Sequence, residues 1–367
     1  SGEQFGYSVL LEDRVLAVGA TGASGGVSGG SGGGAVTIGL LPNYAEAAVR
    51  SLKEETPTLL SDYMADYANS VQDLIIVGDK VLRGQGGPSF ETDLSGPMAI
   101  VSYLDIDEHT SADWTFVIQL TGAANSLFGF RIAFGLTPQR VVVAVSAITE
   151  STHGRVHIYT FTPGDLAGAL PLGAPNDSPV ATLQGINAGA AGEKFGYSLA
   201  VSGDTIVVGS TAGGVFVFAP ATPNGDDWTQ VRALSNGVSA ALRATYNFGY
   251  AVSIARHTDG AGDAYPVVVV GERKRKTRQF ADETQKDHGR VYVFWPLDKD
   301  DLSAAWSTPK ILQWDKSSNL AQLGWAVSVS STSQQGLLVV AGAPMHSGVG
   351  SETGAVVMWR GGRGGVA

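Results

Sequence analysis

The chain has 367 residues, 24 of them Lys or Arg and 34 Asp or Glu, giving a net charge of −10, so it is a poor partner for nucleic acid or anionic membrane. With 44% hydrophobic and 16% charged residues it is not disordered throughout, and its 49 glycines lack the period of three that collagen requires. It has no cysteine, which removes disulfide and thiolate chemistry, and no apolar run approaches the roughly 18 residues of a membrane-spanning helix.

Short alternating runs rich in Val, Ile and aromatics, bounded by Gly, Asp, Asn and Pro, recur along the chain and predict β-strands. The first copy opens at Phe5-Gly6-Tyr7-Ser8-Val9, continues through residues 15–19, and then has Gly34-Ala35-Val36-Thr37-Ile38. Val49-Arg50-Ser51-Leu52 stands as its fourth strand. The second copy lacks Phe-Gly. Residues 63–69 take the place of its first strand, residues 74–78 its second, Gly96-Pro97-Met98-Ala99-Ile100 its third and residues 114–120 its fourth. The third copy has Phe128-Gly129-Phe130-Arg131-Ile132, residues 141–145, Gly154-Arg155-Val156-His157-Ile158 and residues 179–183. The fourth has Phe195-Gly196-Tyr197-Ser198-Leu199, residues 206–209, Gly214-Val215-Phe216-Val217-Phe218 and residues 228–234. The fifth has Phe248-Gly249-Tyr250-Ala251-Val252, residues 267–271, Gly289-Arg290-Val291-Tyr292-Val293 and residues 306–312. The sixth has Leu323-Gly324-Trp325-Ala326-Val327, residues 337–342 and Gly354-Ala355-Val356-Val357-Met358, with only residues 361–367 left for a fourth strand. The glycines that open the third strands stand 62, 58, 60, 75 and 65 residues apart. Residues 45–53 and 61–67 have some helical propensity, but the repeat register makes them strand or loop.

Four antiparallel strands in about 60 residues make one twisted sheet, and alone it leaves both faces wet. Sheets arranged radially bury one another's faces. The expected fold is therefore all-β: a β-propeller of six four-stranded blades, the last one incomplete, or a seven-bladed ring whose remainder lies outside this chain. The blades span about 1–58, 59–122, 123–186, 187–240, 241–315 and 316–367 within a single domain.

These phrases resemble the FG-GAP repeat of the integrin α-subunit propeller. Gly192-Glu193-Lys194-Phe195-Gly196-Tyr197-Ser198-Leu199-Ala200-Val201-Ser202-Gly203-Asp204-Thr205-Ile206-Val207-Val208-Gly209 is close to the family's ideal, and Trp228-Thr229-Gln230 fits its outer strand. The resemblance implies a propeller that meets partners through the rim carrying the second-to-third loops. Two departures stand out. The integrin propeller has seven blades, and the calcium loop of many FG-GAP repeats is cut here to tight turns such as Glu12-Asp13 and Ser202-Gly203-Asp204. Only the fifth copy, Thr258-Asp259-Gly260-Ala261-Gly262-Asp263, is long enough to wrap a hard cation, which makes Asp259 and Asp263 the calcium candidates and calcium the one cofactor to consider.

The long second-to-third loops, residues 21–33, 79–95, 148–153, 272–288 and 344–353, define an elaborated rim, and recognition usually sits on such loops. One of them carries Arg273, Lys274, Arg275, Lys276 and Arg278, a cationic run suited to an acidic protein partner, a sulfated glycan or a phosphate. Asp282, Glu283 and Asp287 are close enough in sequence to neutralise it. Residues 22–34 read as a slack Gly/Ser-rich loop. Trp114, Trp228 and Trp306 share one repeat position and read as packing residues. His153 and His157 share strand parity without a flanking carboxylate at metal-ligand spacing. Asn176-Asp177-Ser178 is a glycosylation triplet weakened by Pro179. No nucleophile elbow, phosphate loop or paired-histidine zinc motif appears. The expected function is a non-enzymatic extracellular or cell-surface binding or structural module. Its expected partner is another protein subunit or domain, or a glycan, and the chain reads as a part of a larger assembly, without nucleic acid or membrane insertion. The rivals are a carbohydrate-binding lectin and a propeller-scaffold hydrolase or lyase.

Overall fold

The computed structural model describes residues 4–12, 15–21, 35–40, 71–77, 80–86, 98–105, 115–162, 178–185, 193–275, 288–314, 321–332, 336–347 and 354–361. Among these the chain is all-β apart from one helix. Strands β1 (Gln4–Glu12), β2 (Val15–Thr21) and β3 (Ala35–Leu40) form a three-stranded sheet. A four-stranded sheet follows, built from β4 (Val71–Val77), β5 (Lys80–Gly86), β6 (Met98–Asp105) and β7 (Thr115–Thr121). The third sheet has β8 (Phe128–Leu136), β9 (Val141–Ala147), β10 (Arg155–Phe161) and β11 (Ala181–Leu183). The fourth has β12 (Ser198–Ser202), β13 (Thr205–Gly209), β14 (Val215–Pro220) and β15 (Trp228–Leu234). Helix α1 (Ala240–Tyr246) leads into the fifth, made of β16 (Phe248–Thr258), β17 (Ala264–Glu272), β18 (Arg290–Phe294) and β19 (Lys310–Leu312). Strands β20 (Val327–Thr332), β21 (Gly336–Ala343) and β22 (Ala355–Arg360) form the sixth. Every sheet runs in chain order with antiparallel neighbours. The chain divides into two compact units. One joins Ser1–Asn69 to Asn236–Ala367, and the other is Ser70–Ser235.

The second copy is registered differently from the sequence expectation. Residues 74–77 belong to the first strand, β4, which stands where residues 63–69 were expected, and the second strand is β5. Val77 pairs with Lys80, which leaves only Gly78 and Asp79 between the two strands. The apolar run 74–78 matches the second strands of the other copies in composition, and that likeness misassigned it. The loop expected at 79–95 shortens accordingly, because β5 takes residues 80–86. Residues 45–53, 61–69 and 22–34, together with Trp114 and the glycosylation triplet's Asn176 and Asp177, lie outside the described residues.

Within each unit, sheets pack face to face, and one middle strand in each, β9 and β21, serves two neighbours at once. All seven residues of β9 are buried. Val141, Val143 and Val145 pack with Ala99, Ile118 and Leu120 of the second sheet. Val142 and Ala144 point the other way, against Phe195, Ile206 and Phe216 of the fourth. A strand's alternating side chains thus fill two seams. In the other unit, Val267 and Val269 meet Val327, Leu337 and Val339 of the sixth sheet, while Leu338 and Val340 pack against Val9 of the first. Each buried valine contributes roughly 1.5–3 kcal/mol, so these seams are the main source of cohesion in each unit.

The Phe-Gly phrases are where neighbouring sheets are joined. Leu127, Lys194, Asn247 and Gln322 precede the Phe or Leu with φ of 49°, 49°, 56° and 53°, in the left-handed region, and Gly129, Gly196, Gly249 and Gly324 follow with φ of 83°, 90°, 85° and 86°. The Phe or Leu between them is buried at Phe128, Phe195, Phe248 and Leu323. The pairing register shifts at this point in β1, β8 and β16, a β-bulge or irregularity in the ladder. Leu323 N–H donates to the His288 carbonyl at 2.9 Å, and Gly289 bridges Leu323 in parallel. A side chain has no room at either glycine of this junction. A Cβ on Gly289 would lie 2.5 Å from Leu323 N, and one on Gly324 would lie 2.7 Å from the Arg290 carbonyl. Phe195 N–H makes the same bond to the His153 carbonyl, at 2.7 Å, in the other unit.

Candidate functional site

In the third to sixth copies the third residue of the phrase, Phe130, Tyr197, Tyr250 or Trp325, is a half-buried aromatic, and these rings pair across sheets. Phe130 and Tyr197 have centroids 5.4 Å apart in the unit 70–235. Tyr250 and Trp325 are 5.2 Å apart in the other unit. The bulge and the left-handed glycine put them at the sheet edge, with one ring from each of two adjacent sheets.

In the second of these pairs a guanidinium completes the arrangement. Arg273 follows β17, and its Cζ lies 4.2 Å from the Tyr250 centroid and 4.6 Å from that of Trp325. Its Nη1 donates to Gln322 Oε1 at 3.0 Å. Two residues on, Arg275 Cζ lies 4.7 Å from the ring of Tyr246. Tyr246 is the last residue of α1, which the sequence reading did not anticipate. Ser239 caps the N-terminus through its Oγ, which accepts from Leu242 N–H, and left-handed Asn247 ends the helix. Lys274 N–H donates to the Tyr246 carbonyl at 3.1 Å, so the helix end and the basic run are tied together. The predicted cations are therefore only in part a solvated loop. Arg273 and Arg275 are half-buried and stacked, while Lys276 and Arg278 lie outside the described residues.

Beneath them is Glu272, fully buried at the end of β17. Its Oε1 accepts from Asn236 Nδ2 at 2.7 Å and its Oε2 from the Tyr292 hydroxyl at 2.5 Å. Burial pushes the Glu272 carboxyl up from the ordinary range, against the Tyr292 hydrogen bond and the charge of Arg275, which pull it down. The Tyr292 phenol is raised too, first by burial and then by the charge of Glu272. The sequence reading placed Glu272 at the start of the loop 272–288, and nothing there signalled its partners.

The calcium candidates Asp259 and Asp263 are brought together in the turn between β16 and β17. Asp259 Oδ1 accepts from the N–H groups of Ala261 and Asp263, at 2.9 and 3.1 Å. Lys299 Nζ donates to Asp259 Oδ2 at 2.8 Å and also to Asp263 Oδ2. That hydrogen bond from Lys299 is the main reason the Asp259 carboxyl is held below its ordinary range. The lysine thus supplies the positive charge facing both carboxylates. Of the two histidines weighed as a metal pair, His157 Nε2 lies 2.6 Å from Glu150 Oε2, and Arg155 Nη1 is 3.1 Å from Glu150 Oε1. Among the described residues no group of three or more His, Asp and Glu is arranged to hold a metal ion. Trp228 and Trp306 are buried, each with its indole N–H on a backbone carbonyl, of Asp204 and of Leu302.

A buried histidine gives this protein a pH-dependent stability. His257 of β16 is 1% exposed. Its Nδ1 is 2.7 Å from Ser331 Oγ, and its Nε2 is buried without a partner. Burial lowers its pKa from about 6.5, more than nearby Asp259 raises it. Above about pH 6.5 the imidazole is neutral folded and unfolded, so it contributes no pH dependence. Below that, the unfolded chain takes up a proton that the folded chain resists, and stability falls until the folded value is passed. The thermal midpoint of the native chain should therefore drop more between pH 7.5 and 5.5 than that of His257→Asn. Parallel curves for the two would contradict this account.

No protein-family model matches the chain, and no curated protein matches it. Several solved structures align with it loosely. The N-terminal domain of Nup159 is 11% identical with a TM-score of 0.39, over 96% of this chain and 73% of that one. Chaetomium thermophilum Sqt1, solved bound to the N-terminus of ribosomal protein L10, is 14% identical with a TM-score of 0.42, over 96% and 71%. The Myceliophteria thermophila Cps50 (Swd1) β-propeller domain is 11% identical with a TM-score of 0.45, over 98% of each. None of these scores reaches 0.5, and the sheets described above rest on this chain's own residues.

Proposed function

We propose that this chain is a β-propeller of the FG-GAP type that works as a non-enzymatic, extracellular binding module for another protein. The repeated antiparallel sheets, with the middle strands β9 and β21 each serving two seams, support the propeller. The extracellular placement rests on the resemblance to the integrin-type repeat. The observation that carries the binding role is the cluster of Arg273 against both Tyr250 and Trp325 at the sheet edge. Arg, Tyr and Trp are the residues that most often carry binding energy at protein interfaces, and a stacked guanidinium has lost its rotamer freedom before a partner arrives.

Panning a random dodecapeptide display library on the purified chain tests this. The expected result is a set of enriched peptides that bind Tyr250→Ala/Trp325→Ala at least tenfold more weakly, with the circular dichroism of that variant unchanged. No enrichment, or peptides that bind both proteins alike, would overturn the proposal.

A further inference from the structure

The chain has two Asn-Gly dipeptides, Asn224-Gly225 and Asn236-Gly237. In such a pair the glycine nitrogen can attack the asparagine carboxamide, because no Cβ holds it away. The N–Cγ bond forms, the Cγ–Nδ2 bond breaks, and ammonia leaves with the proton that the glycine nitrogen gives up. Water then opens the five-membered imide on either side. One product is aspartate, and the other is an isoaspartyl link whose main chain runs through Cβ and Cγ. The net change is an amide plus water to a carboxyl plus ammonia, so solvent is the only co-reactant.

The fold treats the two sites oppositely. Asn236 Nδ2, the leaving nitrogen, donates to Glu272 Oε1 at 2.7 Å, and Asn236 Oδ1 accepts from Val238 N–H at 3.3 Å. Both ends of this carboxamide are clamped, one of them on a fully buried carboxylate. Asn224 is exposed, in the connection between β14 and β15. Its Oδ1 lies 3.3 Å from the Thr137 hydroxyl, which also faces the Arg140 carbonyl at 3.2 Å, and its Nδ2 is free among the described residues. The turn Thr222-Pro223-Asn224-Gly225 is closed by Gly225 N–H on the Thr222 carbonyl at 2.9 Å, with left-handed Asn224 (φ 58°) in its third position. That one bond is what the attacking nitrogen must give up. The bond from Ala221 N–H to the Asp227 carbonyl, at 3.0 Å, closes the base of the loop independently, so the tip can open alone.

The turn also carries part of a sheet junction. The Asn224 and Gly225 carbonyls accept from Arg140 Nη1 and Nη2, each at 2.9 Å, and Asn224 N–H donates to Asp204 Oδ2 at 3.2 Å. Asp204 and Asp226 already share that guanidinium. A new carboxylate at position 224 competes with both. The isoaspartyl form also inserts one methylene into the main chain between the two carbonyls that Arg140 holds. We propose that Asn224-Gly225 is a site of spontaneous deamidation, chosen over Asn236-Gly237 by the fold, and that its isoaspartyl product loosens the junction of the third and fourth sheets.

The test ages the full chain in mildly alkaline buffer and digests it with trypsin, which puts the two sites on separate peptides, residues 195–232 and 233–243. Mass spectrometry follows the gain that marks an amide becoming an acid, and isoaspartate methyltransferase marks the isoaspartyl form. Peptide 195–232 is expected to convert at least tenfold faster than 233–243. In concentrated guanidinium chloride, where only the shared dipeptide remains, the two rates should come within threefold of each other. The aged chain should unfold at a lower denaturant midpoint than the fresh chain. Aged Asn224→Gly, which accepts the left-handed backbone but has no carboxamide, should keep its midpoint. Selection by the fold is overturned if Asn236 converts as fast as Asn224 in the native chain, if 195–232 gains no mass there while the unfolded sample converts, or if the tenfold preference persists after unfolding. Loosening of the junction is overturned if ageing lowers the midpoint of Asn224→Gly equally.

Discussion

Replacing Arg140 with leucine is expected to destabilise the unit 70–235 by about 3–5 kcal/mol, the range for stranding one side of a buried ion pair. Arg140 sits between β8 and β9, with its side chain 8% exposed, and reaches across to the fourth sheet. Its Nε donates to Asp204 Oδ1 at 3.0 Å, its Nη1 to the Asn224 carbonyl at 2.9 Å and to Asp226 Oδ1 at 3.0 Å, and its Nη2 to the Gly225 carbonyl at 2.9 Å. Trp228 lies under the guanidinium at 4.5 Å. Most of the loss comes from Asp204 and the two carbonyls, since Asp226 is 58% exposed and such a pair is worth little. Arg140→Lys keeps the charge but cannot reach four acceptors at once or lie flat on the indole, so it should recover less than half of the loss. Urea unfolding of the three proteins, followed by tryptophan fluorescence, measures both differences. A leucine variant within 1 kcal/mol of the native chain would show that the network only decorates the sheet junction.

The second large effect is expected at Gly289. Gly289→Ala should cost about 2–6 kcal/mol, combining about 1–3 for a left-handed backbone with about 1–3 for forced overlap. The backbone is at φ 77°, and the new Cβ would meet Leu323 N at 2.5 Å and Leu323 C at 2.8 Å. Those are main-chain atoms held by a bond to His288, so they cannot swing aside. Gly262→Ala separates the two contributions. Gly262 has φ 91° but nothing within 4 Å of its Cβ position, so alanine there should show the backbone cost alone. The difference between the two melting temperatures reports the overlap. Equal shifts would mean that the sheets part easily at this junction.

Much of the strand pattern was legible because it is local. A glycine at positive φ next to a buried Phe leaves a repeated phrase, and the outer strand 228–234 announced itself through Trp228, whereas the strand expected at 306–312 spans only Lys310–Leu312. The second copy was misread although the needed signal was present. Gly78-Asp79 repeats the Gly203-Asp204 pair that turns β12 into β13, and it marks a first-to-second strand turn in both places. Other features depended on distance in the sequence. Arg140 and Asp204 are 64 residues apart, and nothing local pairs them. The run 273–278 could be read as positive charge, but its stacking required knowing that β16 and the Gln322–Trp325 turn lie on either side of it. Tyr246 became part of the site only because residues 240–246 coil into a helix ahead of the fifth Phe-Gly phrase.

The double-sided burial of β9 has a consequence for how its alignment is chosen. A strand with one wet face is kept in frame by polarity, because slipping by one residue would drown polar groups and expose greasy ones. Val141–Ala147 has no such asymmetry, so a slipped frame would look nearly as comfortable. The choice must be made at the end of the strand. There Thr137 Oγ1 accepts from the N–H groups of Gln139 and Arg140, and Leu136 is set opposite Val141. The arginine that ties two sheets together is thus also the anchor from which the strand's pairing is counted.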